Sequence, residues 1–322
     1  MNADAQRASG PIVLFVAGSF RSGSTVLDNL LGQVDGFTSV GELRSLWRNG
    51  LIEGRICGCG EHVRECPFWT GVLDAAYGAH PPDPRAVVAL QDRHLRTRPR
   101  QLVGLRRAAG GADSGGLSRY LSLVEPLYRA IAEVDGARVV VDSSKVPADA
   151  YALVTLSDLD VRVLHLVRDP RAVAYSSARA KPSPDDPNSD TMTVSSPLRT
   201  SVAWSVWNGV LERMVAPAAG QRYMRLRYED FAADPRRAAR EICDFAGMPD
   251  AELPFVGERT VRFQPTHGPS GNPDRLDRGE SEIVLNERWR TGMSRPAQLA
   301  AALPALPLMA GYGYRPGDRG AG

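Results

Sequence analysis

The sequence predicts an α/β fold in which helices cover both faces of a central parallel sheet. Apolar, β-branched runs alternate along the chain with segments of helical pattern, an order typical of parallel α/β sheets. The runs are apolar almost throughout rather than at every second residue, as expected of strands buried on both faces. The content of 43% hydrophobic and 24% charged residues is that of an ordinary globular protein.

Five strands and six helices account for most of this pattern. The strands are predicted at Ile12–Ala17, Phe37–Val40, Arg138–Asp142, Val161–Val167 and Arg222–Arg227. The helices are predicted at Ser24–Gln33, Leu117–Val134, Pro147–Ser157, Pro170–Arg179, Leu198–Val215 and Pro235–Ala246. Pro147 and Pro170 suit the first turn of a helix, because that position needs no backbone N–H donor. We therefore predict one domain over residues 11–315, preceded by a flexible N-terminus over residues 1–10.

Two stretches depart from the alternation. Residues 42–136 lie between the second and third predicted strands, and we predict that they form a helical insertion. Residues 181–197 are polar and rich in proline. A segment of that composition buries too little apolar surface to pack, so it is predicted to be a mobile loop.

Composition and charge exclude several classes of function. A net charge of +2 provides no general attraction to nucleic acid or to a membrane surface. No apolar run reaches the eighteen or so residues of a membrane span, and residues 1–10 contain no apolar stretch typical of a secretory signal. We therefore expect a cytoplasmic protein that neither binds nucleic acid nor inserts into a membrane. The pattern favours no particular oligomeric state.

The most informative segment joins the first predicted strand to the helix that follows it. Residues 18–25 read Gly-Ser-Phe-Arg-Ser-Gly-Ser-Thr. Backbone N–H groups at such a turn point outward and the helix dipole adds positive charge, so the segment predicts an anion-binding loop. The spacing is that of the phosphate loop G-x-x-x-x-G-K-[ST], but Ser24 replaces the lysine that reaches a triphosphate. The predicted phosphate site comprises Arg21, Ser22, Gly23, Ser24 and Thr25. A glycine-rich turn without a ligand is the alternative.

Polar residues also follow the other predicted strands. Glu42 comes after the second strand, Lys145 after the third and Arg168 after the fourth. Because ligands bind at the carboxyl ends of the strands in open α/β sheets, we expect these residues to share one site with the phosphate loop. Arg168, with Ser176 eight residues later, is suited to clamp a second phosphate. An ion pair of Arg168 with Asp169 or with a neighbouring acid is the alternative.

These segments together resemble the donor site of sulfotransferases that use 3′-phosphoadenosine 5′-phosphosulfate. The residues that carry the resemblance are the loop Arg21–Thr25 and the segment Leu166–Ser176. In that family the loop cradles the 5′-phosphosulfate, and the arginine and serine hold the 3′-phosphate. The resemblance implies a three-layer P-loop-like fold and this co-substrate, with no metal expected. Likenesses at residues 227–231 and 271–279 add further implied donor-binding residues, namely Tyr228, Arg275, Arg278 and Gly279.

The resemblance also implies the catalytic groups. Sulfuryl transfer develops less negative charge than cleavage of a triphosphate, so Arg21 and backbone amides suffice to stabilise the leaving phosphate. Glu42 matches a glutamate found in related branches of the family and is the predicted general base; a helix-capping acid is the alternative. Lys145 is one of only two lysines beside 37 arginines. It is predicted to stabilise or protonate the leaving group, since arginine is a poor proton donor; a surface lysine kept by chance is the alternative.

The predicted activity is transfer of a sulfuryl group to a hydroxyl of a small molecule, a glycan or a natural product. One alternative is a nucleotide or small-molecule kinase with a degenerate phosphate loop, which would require the lysine that Ser24 replaces. The other alternative is a nucleotide-binding protein without catalytic activity.

Three of the four cysteines, Cys57, Cys59 and Cys66, lie within ten residues of one another. With His62 they would supply the four ligands of a zinc site. Their Cys-x-Cys spacing is tighter than the usual ligand spacing, and no second pair lies nearby. A small packed loop with a redox-sensitive pair of thiols is therefore favoured over a metal site.

Overall fold

A computed structural model of the protein describes residues 10–112, 115–182 and 191–315. The predicted flexible N-terminus, residues 1–10, lies outside the described residues apart from Gly10. The predicted mobile loop, residues 181–197, lies outside them over residues 183–190. At the two described ends of that loop, the Met192 amide donates a hydrogen bond to the Lys181 carbonyl over 2.9 Å.

A five-stranded parallel sheet lies at the centre of the described residues. Its strands are β1 (Ile12–Gly18), β2 (Phe37–Ser39), β3 (Val139–Lys145), β4 (Asp160–Val167) and β5 (Tyr223–Arg227). They are arranged in the order β2-β3-β1-β4-β5, and each neighbouring pair is parallel. The predicted α/β fold with a central parallel sheet is therefore confirmed. The central position of β1 places the loop that follows it in the middle of the carboxyl edge.

Strand β3 extends beyond its predicted end at Asp142. The pairing of β1 with β3 shifts between Phe15 and Ala17, and Ala17 then pairs with Lys145. Because this shifted pairing continues the strand, the polar residues at its end are held by the sheet rather than by a loop. Lys145 therefore occupies a fixed position at the carboxyl edge.

Helices cover both faces of the sheet. They are α1 (Ser24–Leu31), α2 (Pro67–Tyr77), α3 (Pro84–His94), α4 (Pro99–Ala109), α5 (Gly116–Asp135), α6 (Pro147–Leu156), α7 (Pro170–Ser177), α8 (Pro197–Val210), α9 (Ala216–Ala219), α10 (Tyr228–Ala233), α11 (Pro235–Phe245), α12 (Trp289–Gly292), α13 (Arg295–Ala302) and α14 (Leu306–Gly311). Two π-helical segments span Leu46–Ile52 and Leu211–Val215, and short 3₁₀ turns span Gly220–Arg222, Pro273–Leu276 and Leu303–Ala305. A small antiparallel pair, β6 (Thr260–Phe263) and β7 (Gly279–Glu282), lies outside the main sheet. None of the helices within the described ranges is long and apolar enough to cross a membrane.

The side chains of β1 alternate between two separate cores. Val13 and Phe15 pack with residues of the helices between β2 and β3, whereas Leu14 and Val16 pack with residues of α1 and α11. All four are fully buried. Burial of such a side chain contributes about 1.5–3 kcal/mol. Strand β1 is therefore anchored from both sides, which gives the loop at its end a rigid support.

Candidate active site

A cavity of about 530 Å³ opens at the carboxyl edge of the sheet. Its volume lies within the usual range of small-molecule sites, about 300–1,000 Å³. The residues predicted from the sequence that line it are Arg21, Gly23, Ser24, Thr25, Glu42, Lys145, Arg168, Ser176 and Tyr228. Since they come from the ends of different strands, the fold brings together residues that are far apart in the chain.

The phosphate-loop segment connects β1 directly to α1. Helix α1 begins at Ser24, and Gly23 caps it with φ 92°, a left-handed conformation that favours glycine. A Cβ atom on Gly23 would lie 2.4 Å from the ring of Tyr228, so a side chain there would collide with that ring. Because Ser24 and Thr25 line the cavity, the positive end of the α1 dipole lies at the cavity wall.

Arg168 links the two predicted halves of the donor site. Its Nη1 donates a hydrogen bond to the Arg21 carbonyl over 3.2 Å, and its guanidinium lies 4.3 Å from the centre of the Tyr228 ring. The alternative partner, Asp169, instead pairs with Arg171 at 2.7 Å. In the described part of the chain, neither Arg21 nor Arg168 forms an ion pair with an acidic residue. Both cations are therefore available to an anionic ligand.

Several buried polar atoms around this loop lack a hydrogen-bond partner among the described residues. They are Nη1 of Arg21, Oγ of Ser22 and Nε of Arg168. A buried polar group left without a partner costs about 1–3 kcal/mol. Burial also lowers the pKa of the Arg21 guanidinium, while the charges of Asp274 and Glu42 raise it. Unsatisfied donors beside unpaired cations fit the phosphate groups of a nucleotide.

Glu42 and Lys145 form an ion pair at the cavity wall. Lys145 Nζ lies 2.6 Å from Glu42 Oε1, and the two side chains are 6% and 27% exposed, respectively. The same Nζ donates to the Ser143 carbonyl over 3.0 Å. The pair thus places a carboxylate that can accept a proton beside an ammonium group that can donate one.

Arg21 and Lys145 share an unusual backbone conformation. Among the described non-glycine residues, only these two have positive φ, at 63° and 69°. A left-handed conformation costs an ordinary residue about 1–2 kcal/mol, and such strain is concentrated at functional sites. Both strained residues are cations that line the cavity.

Asp142 supports the segment that carries Glu42. Its carboxylate accepts hydrogen bonds from the Tyr128 hydroxyl at 2.5 Å, the Ser144 hydroxyl at 2.5 Å and the Leu43 amide at 3.4 Å. Burial raises the pKa of Asp142 to about 6, although the hydrogen bonds oppose this shift. The carboxylate does not line the cavity. It therefore fixes the position of the chain next to Glu42 rather than facing a ligand.

Asp28 is a site-adjacent acid that the sequence analysis missed. It lies on α1 and is 4% exposed. Burial raises its pKa to about 7, against hydrogen bonds from Ser39 and Ser143 and the charge of Lys145. It lines a smaller cavity next to Thr25 and Glu42. An acid within the apolar run of α1 is the sequence signal that would have indicated Asp28.

The remaining predicted donor-binding residues do not line the main cavity. Ser22 belongs to the loop, but its side chain is buried. Arg275 Nη2 donates to the Ile56 carbonyl over 2.9 Å, and Arg278 donates to the Gly58 carbonyl. Gly279 is the exposed first residue of β7. The two arginines thus bind the backbone of the cysteine-containing segment.

A second ion pair on the cavity wall was also missed by the sequence analysis. Lys181 Nζ lies 2.9 Å from Asp274 Oδ2, and Asn29 donates to the Asp274 carbonyl over 3.0 Å. Both lysines of the chain therefore line the cavity, each paired with an acid. Asp274 lies far from both partners in the sequence, so no local pattern indicates these contacts.

The strand order and the loop between β1 and α1 define a P-loop-like α/β protein. A sequence profile described as the Sulfotransferase family matches residues 11–252. The chain therefore belongs to the sulfotransferase family, which confirms the family predicted from the sequence.

Individual relatives are similar over part of their length. Human carbohydrate sulfotransferase 3 is 34% identical over 173 residues, which cover 49% of this chain and 34% of that protein. Mouse carbohydrate sulfotransferase 1 is 25% identical over 223 residues, covering 63% of this chain and 51% of that protein. The aligned regions thus span only a third to a half of these curated relatives. The solved sulfotransferase domain of the Synechococcus PCC 7002 olefin synthase is 23% identical, with a TM-score of 0.49 over 95% of this chain and 96% of that one.

Proposed function

We propose that this sulfotransferase transfers a sulfuryl group from 3′-phosphoadenosine 5′-phosphosulfate to a hydroxyl of a glycan or another small-molecule acceptor. The observation that carries the proposal is the convergence of Arg21, Glu42 and Lys145 on one cavity, where the two cations have strained backbones. The names of the curated relatives support a carbohydrate as the acceptor.

The donor would be held by the two cationic segments that meet at the cavity. The α1 N-terminus and Arg21 suit the 5′-phosphosulfate, since both supply donors to an anion. Arg168 and Ser176 suit the 3′-phosphate. The unsatisfied atoms of Arg21 and Arg168 support this assignment, because charged phosphate oxygens would supply the missing partners.

Each catalytic group has a defined role in the proposed transfer. Glu42 takes the proton of the acceptor hydroxyl, whose oxygen forms a bond to sulfur while the bond from sulfur to the bridging oxygen breaks. Lys145 and Arg21 stabilise the negative charge that develops on the departing phosphate. The ion pair of 2.6 Å between Glu42 and Lys145 supports a shared location for the proton acceptor and the cation.

Because the chain belongs to the sulfotransferase family, the kinase hypothesis is not retained. A kinase would also require a lysine at the position that Ser24 occupies. A protein that binds the nucleotide without turnover remains the competing hypothesis. It would need the Arg21 and Arg168 contacts but neither Glu42 nor Lys145. Turnover, rather than binding alone, therefore distinguishes the two hypotheses.

Calorimetry with nucleotides tests the donor assignment. Without magnesium, 3′-phosphoadenosine 5′-phosphate should bind much more tightly than AMP or ATP. Replacing Arg168 with alanine should weaken binding of the bisphosphate by about 2–3 kcal/mol, because a charge-assisted contact is lost. The dissociation constant should rise roughly thirtyfold or more. Binding of AMP should change little.

Arg179→Ala is the matched control, because Arg179 lines the same cavity but has Tyr175 as its hydrogen-bond partner. The preference for the bisphosphate should persist in this variant. If wild-type protein bound AMP and the bisphosphate equally, the assignment of Arg168 and Ser176 to a second phosphate would be wrong.

A further inference from the structure

Three thiols and one imidazole converge outside the main cavity. They belong to Cys57, Cys59, Cys66 and His267, and their ligand atoms all lie within 4.8 Å of one another. His267 follows Cys66 by 201 residues, so the cluster joins two distant segments. His62, the fourth ligand considered from the sequence, instead has its Nδ1 2.7 Å from the Gly54 carbonyl. The fourth candidate ligand is therefore His267 and not His62.

The spacing within the cluster matches a tetrahedral zinc site. Zinc–sulfur bonds of about 2.3 Å and zinc–nitrogen bonds of about 2.0–2.1 Å place neighbouring sulfurs about 3.8 Å apart and sulfur and nitrogen about 3.5 Å apart. The Cys59 and Cys66 sulfurs are 3.6 Å apart. His267 Nδ1 lies 3.5 Å from the Cys66 sulfur and 3.8 Å from the Cys57 sulfur. We propose that these four residues bind one structural Zn²⁺ ion, in place of the metal-free loop expected from the sequence.

The surroundings of the cluster suit a closed metal site. Cys57 and Cys66 are fully buried. Cys66 is also the N-cap residue of α2, so it lies at the positive end of that helix dipole. Four protein ligands complete a tetrahedral shell, which is the arrangement of structural rather than catalytic zinc.

The ligand His267 is held by its neighbours in the folded chain. Its ring stacks on Phe68 with centroids 4.2 Å apart and planes 9° apart. Its carbonyl accepts a hydrogen bond from Trp69 Nε1 over 2.8 Å. Contacts that fix the orientation of a ligating imidazole raise its affinity for metal.

The proposed ion would hold one wall of the active site in place. The Gly58 amide donates a hydrogen bond to the Gly268 carbonyl over 2.8 Å. Gly268 directly follows the ligand His267 in the sequence. Gly268 in turn approaches Gly41 so closely that a Cβ atom on Gly41 would lie 3.0 Å from the Gly268 Cα. Glu42 is the next residue after Gly41. A zinc ion bound by Cys57, Cys59, Cys66 and His267 would therefore link residues 266–279 to residues 57–66. This link would lie beside the proposed base, Glu42.

Metal analysis of the full-length wild-type protein tests the proposal without any activity assay. Protein produced with zinc and purified under reducing conditions should contain about one zinc ion per chain, because four ligands bind one ion. Native mass spectrometry should show the corresponding mass, which denaturation removes. Cobalt-substituted protein should show thiolate-to-cobalt charge transfer and the intense visible bands of tetrahedral Co²⁺.

Matched variants identify the ligands. His267→Ala and Cys66→Ser should retain less than about a tenth of the wild-type zinc, since each removes a direct ligand. His62→Ala and Cys243→Ser should retain it, because His62 binds Gly54 and Cys243 lies buried in α11. Limited trypsin digestion of chelator-treated wild-type protein should also cleave faster after Arg275 and Arg278, whose segment loses its anchor.

Two results would overturn the proposal. The first is wild-type protein with less than about a tenth of an equivalent of zinc after zinc-supplemented production, with Cys59 and Cys66 recovered as a disulfide. The second is loss of metal in His62→Ala together with full retention in His267→Ala. Because wild-type protein alone gives the first readout, failure of a variant to fold does not prevent the test.

Discussion

Replacing Glu42 with glutamine separates the role of a base from that of a counterion. The glutamine amide oxygen can still accept the hydrogen bond that Lys145 Nζ now donates to Glu42 over 2.6 Å. It cannot take a proton from an acceptor hydroxyl. A positioned general base contributes about 10²–10⁴ in rate, which equals about 3–5 kcal/mol of barrier. Turnover of Glu42→Gln should fall by that factor.

Donor affinity should not fall in the same variant. The carboxylate of Glu42 interacts electrostatically with Arg21 and Lys145, so its removal makes the cavity more positive. An anionic donor should then bind as tightly as before or more tightly. The variant should lose about 1–2 kcal/mol of unfolding free energy, because a charged acceptor is replaced by a neutral one beside a buried ammonium.

The assay is a single-turnover measurement at saturating donor, with the sulfated acceptor quantified by mass spectrometry. Glu282→Gln is the matched control, since Glu282 lines the same cavity on the exposed strand β7 and undergoes the same change of charge. Lys145→Arg should also be slow, because it keeps the charge but loses a ready proton donor. If Glu42→Gln transferred sulfuryl groups within about threefold of the wild-type rate, far less than a lost base costs, Glu42 would be a counterion of Lys145 and not the base.

Two further substitutions test the loop and its buried acid. Gly23→Ala should weaken binding of 3′-phosphoadenosine 5′-phosphate by more than about tenfold in calorimetry, because φ is 92° and the new Cβ would meet Tyr228 at 2.4 Å; unchanged affinity would contradict this. Gly104→Ala, at an exposed helical position with open space, should instead stabilise the fold by about 0.5–1 kcal/mol. The pKa of Asp28 in the folded protein is about 7, which is above the value of the unfolded chain. The native state therefore binds more protons than the unfolded state between about pH 4 and about pH 7, and the free energy of unfolding falls as pH rises through that range. In urea unfolding, the free energy of unfolding of Asp28→Asn relative to wild type should therefore increase by about 3 kcal/mol between about pH 5 and about pH 8. The control Asp250→Asn, at an exposed position, should show no such change. Equal effects of both substitutions would refute the reasoning.

The sheet could be predicted from the sequence because each strand is a nearly continuous apolar run. β1 is buried on both faces, so its pattern differs clearly from that of an amphipathic helix. The end of β3 could not be predicted, because Lys145 belongs to that strand only through the shifted pairing with Ala17. Such pairing depends on the neighbouring strand and leaves no local signal.

The candidate site was predictable where a residue follows a strand, and unpredictable where a contact joins distant segments. Arg21, Glu42 and Arg168 share the cavity wall because parallel strands end at one edge. His267 lies 201 residues from Cys66, and no spacing rule connects them. His62 was the nearer histidine in sequence, but its ring binds the Gly54 carbonyl.

The most direct test of the proposed function is incubation of wild-type protein with 3′-phosphoadenosine 5′-phosphosulfate and a panel of carbohydrate and small-molecule hydroxyl acceptors, without magnesium. Mass spectrometry should detect an acceptor that gains one sulfuryl group, together with an equal amount of 3′-phosphoadenosine 5′-phosphate. Both products should form more slowly with Glu42→Gln than with wild-type protein. A contradictory result would be tight binding of the donor with no sulfated product from any acceptor in the panel, since this is the behaviour of a nucleotide-binding protein without turnover.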